Sequence, residues 1–154
     1  MQRFLPILIC TLFIACQSTV RFSSVKEGKY VSNQLEQFIS EWMDTPYRYG
    51  GMSKNGVDCS GFVYLLMKNV YGIQLPRSSR DQYRRGKKIA RNRLRKGDLV
   101  FFNLEPRRGV DHVGVFLGSD KFVHASTEMG VTISNLGDSY YRKRYYGACR
   151  YLIQ

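Results

Sequence analysis

Between Cys59 and Tyr71 the chain carries a single charged side chain, Lys68. Cys59, Phe62, Val63, Leu66 and Val70 recur at helical spacing, and Leu65 and Met67 widen the stripe. A helix this apolar must be buried centrally, with other elements packed around it. Asp58 is the expected N-cap, which puts Cys59 in the first turn. Breakers bound the run. Thr45-Pro46, Gly50-Gly51 and Asn55-Gly56 make Asp44–Val57 a loop, and Gly72–Pro76 ends the helix.

At 154 residues there is room for one domain around that helix. An amphipathic helix is expected from Asn33, where Leu35, Phe38, Ile39 and Trp42 share a face and Asn33 with Glu36 resembles a capping box. Ser79–Arg85 suits a short third helix and Leu94–Asp98 a turn. Strands are expected at Leu99–Asn103, His112–Leu117, Phe122–Ser126, Val131–Ser134 and about Gly147–Leu152. Helices first and hairpin-linked strands afterwards mean an α+β fold with an antiparallel sheet. An apolar fraction of 44% excludes wholesale disorder, and two histidines exclude a His-only multi-metal site.

Residues 1–15 read as a signal peptide: Arg3, an apolar Phe4–Ile14 too short to span a bilayer, then Ala15. Phe13-Ile14-Ala15-Cys16 resembles the bacterial lipobox, with Phe13 where Leu is usual, and so marks Cys16 for lipidation. The plainer alternative is an ordinary signal with Cys16 a leftover thiol. Residues 16–31 are expected to form a lipidated tether and 32–154 the catalytic domain. Cys10 leaves with the signal, so Cys59 and Cys149 remain, and in an oxidising compartment two thiols suggest a disulfide.

Three segments carry chemistry: Asp58-Cys59-Ser60-Gly61-Phe62, His112-Val113-Gly114-Val115 and Phe122-Val123-His124-Ala125-Ser126. A thiol at a helix N-terminus sits in the positive end of the dipole, which favours thiolate. A neighbouring imidazole can take its proton and later protonate a leaving amine, and a third group fixes the tautomer. The first-turn N–H groups of Cys59 and Ser60 can stabilise an oxyanion. One geometric condition applies. A plain two-residue Ser119-Asp120 hairpin pairs Leu117 with Phe122 and puts His112 and His124 on opposite faces. A longer turn or a bulge is needed to bring them to one face.

Together with Thr45-Pro46-Tyr47-Arg48-Tyr49-Gly50-Gly51, Leu75-Pro76-Arg77-Ser78 and Gly97-Asp98-Leu99-Val100, these segments resemble the NlpC family of bacterial cell-wall endopeptidases over roughly Asn33 to Leu152. The resemblance implies a papain-like core, with Cys59 as nucleophile, His112 as general base and then acid, and His124 orienting it. It implies Tyr47 near the nucleophile and no cofactor or metal. It also implies a lipoprotein in the bacterial envelope, at an outer membrane facing the periplasm. The substrate is then the peptide stems or cross-links of peptidoglycan, of γ-D-glutamyl-diaminopimelate or D-alanyl-diaminopimelate type. Arg77 and Arg48 are candidates for its carboxylates and Asp58 for an ammonium, with Ser60 a further polar contact. A monomer is expected.

Other readings compete with this one. A Cys59–Cys149 disulfide would make a non-catalytic wall-binding module, but it consumes the helix-start thiol. A zinc site from Cys59, His112, His124 and Cys149 has suitable ligands but no closely spaced pair. The formal charge of +12 raises nucleic acid, yet a signal peptide removes the chain from it. The basic stretch from Arg84 to Lys96 suits anionic lipid or wall polymer instead. Acyl transfer in place of hydrolysis stays open, because an amine or water can resolve a thioester.

Overall fold

A computed structural model describes residues 20–151, with side chains from residue 28 onward. Helix α1 (Val20–Trp42) is followed by the ribbon β1 (Met52–Ser53) and β2 (Gly56–Val57), then α2 (Cys59–Tyr71) and α3 (Ser79–Arg85). Next come β3 (Lys87–Ile89), β4 (Leu99–Phe102), β5 (His112–Gly118), β6 (Lys121–Ser126), β7 (Gly130–Asn135), α4 (Ser139–Arg144) and β8 (Tyr145–Arg150). The six main strands form one antiparallel sheet in the order β3-β8-β4-β5-β6-β7. The α+β class with helices on an antiparallel sheet is as the element pattern predicts.

Each strand alternates between two apolar layers. Leu99, Phe101, Val113, Val115, Val123 and Ala125 face α1 and α2, where Leu35, Trp42, Phe62 and Leu66 close the main core. Val100, Phe102, Phe116, Phe122 and Ala148 face the other way and form a second cluster under Tyr141 of α4. Because both faces are covered, β4 is buried along its whole length. That explains why Leu-Val-Phe-Phe shows no polar alternation.

Two differences from the sequence expectations have identifiable causes. Helix α1 starts at Val20, not near Asn33, so most of the segment read as a tether is helical and the 31/32 boundary falls inside a helix. No proline interrupts residues 20–32. The Glu36 carboxylate that a capping box would turn back to Asn33 meets Ser32 Oγ and Lys96 Nζ instead, each at 3.3 Å. Elements β1, β2, β3 and α4 were absent from the sequence reading, each too short to impose a periodicity. Residues 1–15 and Cys16 lie outside the described residues. Among those described, no helix is long and apolar enough to cross a membrane.

Candidate active site

Helix α2 begins as the sequence implies. The Asp58 carboxylate accepts from Gly61 N–H at 2.7 Å, and the ladder opens with Phe62 N–H donating to the Asp58 carbonyl. The N–H groups of Cys59 and Ser60 precede that first bond. Gly72, left-handed at φ 68°, ends the helix. Between these caps the apolar stripe seats α2 on the sheet, and the Cys59 side chain comes to rest against β5. The thiol donates to the Asp111 carbonyl across 3.9 Å, and the Val113 N–H dipole favours charge on the sulfur. It therefore touches the main chain immediately before His112. Among the described residues the His112 ring is not one of its hydrogen-bond partners.

The register places the histidines. Ser119 (φ 48°) and Asp120 (φ 58°) are both left-handed, as in a type I′ turn, and Gly118 pairs with Lys121. A bulge between Phe116 and Gly118 then shifts the pairing to Phe116 with Phe122 and Val115 with Val123. The shift brings His112 and His124 to the same face, and His112 Nε2 lies 2.8 Å from His124 Nδ1. A Cβ on Gly114, between them across the strands, would sit 2.7 Å from Phe122 Cδ2 and 3.2 Å from His124 Cβ. Glycine here is what lets the second imidazole lie against β5.

Burial dominates the electrostatics. His112 and His124 are 4% and 1% exposed, and loss of solvation lowers their pKa values to about 4 and about 2. The two rings also repel each other's charged form. Burial pushes the Cys59 thiol up to about 11, and the neighbouring Asp58 carboxylate adds to that. Val113 and Ser60 N–H groups pull the other way. The helix-start position thus does not produce a resting thiolate, contrary to the dipole argument, because desolvation outweighs the fixed dipoles. At neutral pH the resting state is a thiol beside two neutral imidazoles.

A cleft of about 710 Å³ opens on Cys59, with Tyr47, Asp58, Ser60 and Arg77 on its wall. A parallel bridge between Tyr47 and Val57 delivers that tyrosine, whose pKa rises to about 12 through burial and the nearby Cys59 and Asp58. Arg77 grips Asp58 through both oxygens at 2.8 and 2.7 Å and also donates to Ser60 Oγ at 2.9 Å. Gly50 N–H donates to the same carboxylate at 2.8 Å. The Asp58 pKa falls, because these donors outweigh its burial. Arg48 does not line the cleft, and its stem lies under Gly56. Cys59 and Cys149 are both free thiols, and Cys149 donates to the Tyr83 carbonyl at 3.3 Å, so no disulfide joins them. No cluster of three or more metal-ligating side chains occurs among the described residues.

Several site residues were not legible in the sequence. Asp111 ties down the loop before β5, its carboxylate accepting from Leu104 and Glu105 N–H groups at 2.7 Å each. Tyr49 stands on the rim, 91% exposed. Ser134 Oγ and Tyr141 Oη approach His124 Nε2 at 3.0 and 3.4 Å. The sequence signals were at most Asp111-His112 adjacency and the polar position in Val131–Asn135. Nothing marked α4.

Comparison with known proteins bears on this arrangement. Residues 44–150 match the model of the NlpC/P60 family. A "Probable endopeptidase NlpC homolog" of Haemophilus influenzae is 47% identical over 111 residues, covering 72% of this chain and 58% of that protein. "Murein DD-endopeptidase MepS/Murein LD-carboxypeptidase" of Escherichia coli K12 is 41% identical over 133 residues, covering 85% of this chain and 69% of that one. The crystal structure of an NlpC/P60 family protein from Bacillus cereus superposes with a TM-score of 0.71 at 35% identity, over 79% of this chain and 40% of that one.

Proposed function

The chain belongs to the NlpC/P60 family, and on that footing we propose that it is a cysteine endopeptidase of peptidoglycan with Cys59 as nucleophile. The observation that carries the reading is the seating of the α2 thiol on the Asp111 carbonyl, next to His112. That ring's far nitrogen is held by His124 at 2.8 Å. Nδ1, on the main-chain side of the imidazole, is then the nitrogen left to serve the thiol.

The steps follow from that placement. As Sγ attacks the amide carbonyl, its proton passes to His112 Nδ1 and a C–S bond forms. Cys59 and Ser60 N–H groups face the developing oxyanion. Collapse breaks the C–N bond, and His112 gives its proton to the leaving amine. Water then attacks the thioester, losing its proton to His112, which returns it to sulfur. His124 holds the ring and shares the charge of the transient imidazolium. A neutral thiol with a neutral base suits this order, since charge appears only when substrate displaces water from the cleft.

The cleft also supports the substrate class. A stem peptide is acidic, and Arg80 and Arg108 stand with Arg77 along the same wall. Arg77 is bound to Asp58 at rest, so a carboxylate would share its exposed edge. A substrate ammonium reaching Asp58 would displace one of that group's present donors. Tyr47 and Ser60 complete the polar contacts. Similarity to a DD-endopeptidase of Escherichia coli favours the D-alanyl-diaminopimelate bond over the γ-D-glutamyl one. Lipidation at Cys16 and an envelope location, with the domain held as a monomer facing the periplasm, complete the reading.

Digestion of purified sacculi, with mass spectrometry of the released muropeptides, tests it. Wild type should release products whose masses name the scissile bond, and Cys59→Ala should release none while keeping its circular dichroism spectrum. Equal release by Cys59→Ala would end the assignment.

A further inference from the structure

We propose that Ser134 and Tyr141 are positioning residues that set the direction of a hydrogen-bond array through His124 and thereby hold His112 in its reactive tautomer. The inference rests on the reading of His112 as the base. Two elements far apart in sequence character converge on one nitrogen. Ser134 on β7 brings its Oγ to 3.0 Å from His124 Nε2, and Tyr141 on α4 brings its hydroxyl to 3.4 Å. The Tyr141 ring lies edge-on to His124 and Phe122, with centroids 5.5 and 5.0 Å away, so α4 is seated by packing and not only by the polar contact.

Direction is what makes the array matter. His112 Nδ1 can accept the thiol proton only if the His112 proton is on Nε2. His112 Nε2–H must then donate to His124 Nδ1, so His124 must carry its own proton on Nε2. That N–H, on a ring 1% exposed, needs an acceptor. A hydroxyl oxygen fills this role without adding charge, whereas Lys or Arg would only donate. Both hydroxyls rotate freely, so each can turn its hydrogen away from the ring and offer a lone pair to His124 Nε2–H. Tyr141 itself stays a phenol, since burial and the carboxylates of Asp138 and Glu128 raise its pKa. In this arrangement each link donates outward, from His112 to His124 and from His124 to the two hydroxyls. The opposite direction would put a proton on His112 Nδ1 and block the base. Part of the role of α4, which no sequence period announces, is to close this array.

The experiment is a long-range 1H–15N correlation on full-length protein labelled at histidine, at pH 7, with muropeptide cleavage measured in parallel. In wild type both rings should be Nε2–H tautomers. Ser134→Ala with Tyr141→Phe should give His112 a mixed or Nδ1–H signature. Its cleavage rate should fall by between about 10-fold and the ~10⁴-fold that a wrong tautomer brings in a serine-protease triad. Ser134→Thr, which keeps the hydroxyl, should retain both the wild-type tautomer and the rate. Should the double variant not fold, Tyr141→Phe and Ser134→Ala alone, each losing one oxygen, should show smaller shifts of the same sign. A wild-type His112 protonated on Nδ1, or variants with unchanged tautomers, would overturn the inference. Absence of cleavage by wild type would instead strike the functional reading and leave the tautomer result standing.

Discussion

Asp58 is the residue on which the most local structure depends, and its removal can be priced from its contacts. Its carboxylate caps α2 through Gly61 N–H, accepts from Gly50 N–H, and is held by Arg77. Loss of an N-cap costs about 1 kcal/mol. Leaving the part-buried Gly50 N–H unpartnered costs about 1 kcal/mol more. The Arg77 pair contributes at most about 1 kcal/mol, because water screens a side chain that is 41% exposed. Asp58→Ala should therefore lose about 2–3 kcal/mol. Asp58→Asn keeps an oxygen for Gly61 but turns an amide donor toward Gly50 and Arg77, and should lose about 2 kcal/mol. Urea unfolding should show these losses as lower midpoints with unchanged slope.

The pH dependence follows from the sign of the shift. The folded Asp58 pKa is depressed below its unfolded value of about 3.9. Its contribution is thus complete above about pH 4 and disappears as pH falls through the folded value. The gap between wild type and Asp58→Asn should be constant from pH 8 to 5 and close below that. Equal midpoints for wild type and both variants at pH 7, or a gap that widens on acidification, would refute the reasoning.

Other outcomes are also expected. Alkylation of Cys59 by iodoacetamide should be slow at pH 7 and climb toward pH 11, because burial raises the thiol pKa to about 11; a rate flat down to pH 5 would mean a preformed thiolate–imidazolium pair. Cleavage should hold from pH 7 to about 5 and fall as His112, with its pKa lowered to about 4, takes up a proton that blocks the base. Gly114→Ala should destabilise by about 1–3 kcal/mol in thermal melts and depress cleavage further than stability explains, since the new Cβ presses on Phe122 and His124. Gly130→Ala should also destabilise, because φ is +69° and its Cβ would collide with the Thr45 carbonyl.

The legibility of the chain varied with the length scale of the signal. Helix α2, its Asp58 cap and its Gly72 stop could be read locally, because capping and apolar spacing are properties of adjacent residues. Five of the six sheet strands, all but β3, were readable for the same reason. Helix α1 starts well before Asn33, because its polar and charged first turns carry no apolar period yet nothing in them prevents a helix. The short β1, β2, β3 and α4 carry too few residues for a period and exist through their packing, α4 through Tyr141 on Phe102 and Phe122.

Sequence alone determined the α+β order and the family, and it singled out one thiol and two imidazoles as candidates, since each depends on residue type and spacing. Tertiary structure decided whether those groups could meet. One bulge before Gly118 chooses the face on which His112 and His124 lie, because side chains alternate across a strand with period two. It also decided the charge state at rest. A thiol at a helix start is drawn toward thiolate by the dipole, but the solvent removed by α2 docking on β5 opposes that more strongly. Burial is a property of the whole fold and has no signature in any short segment.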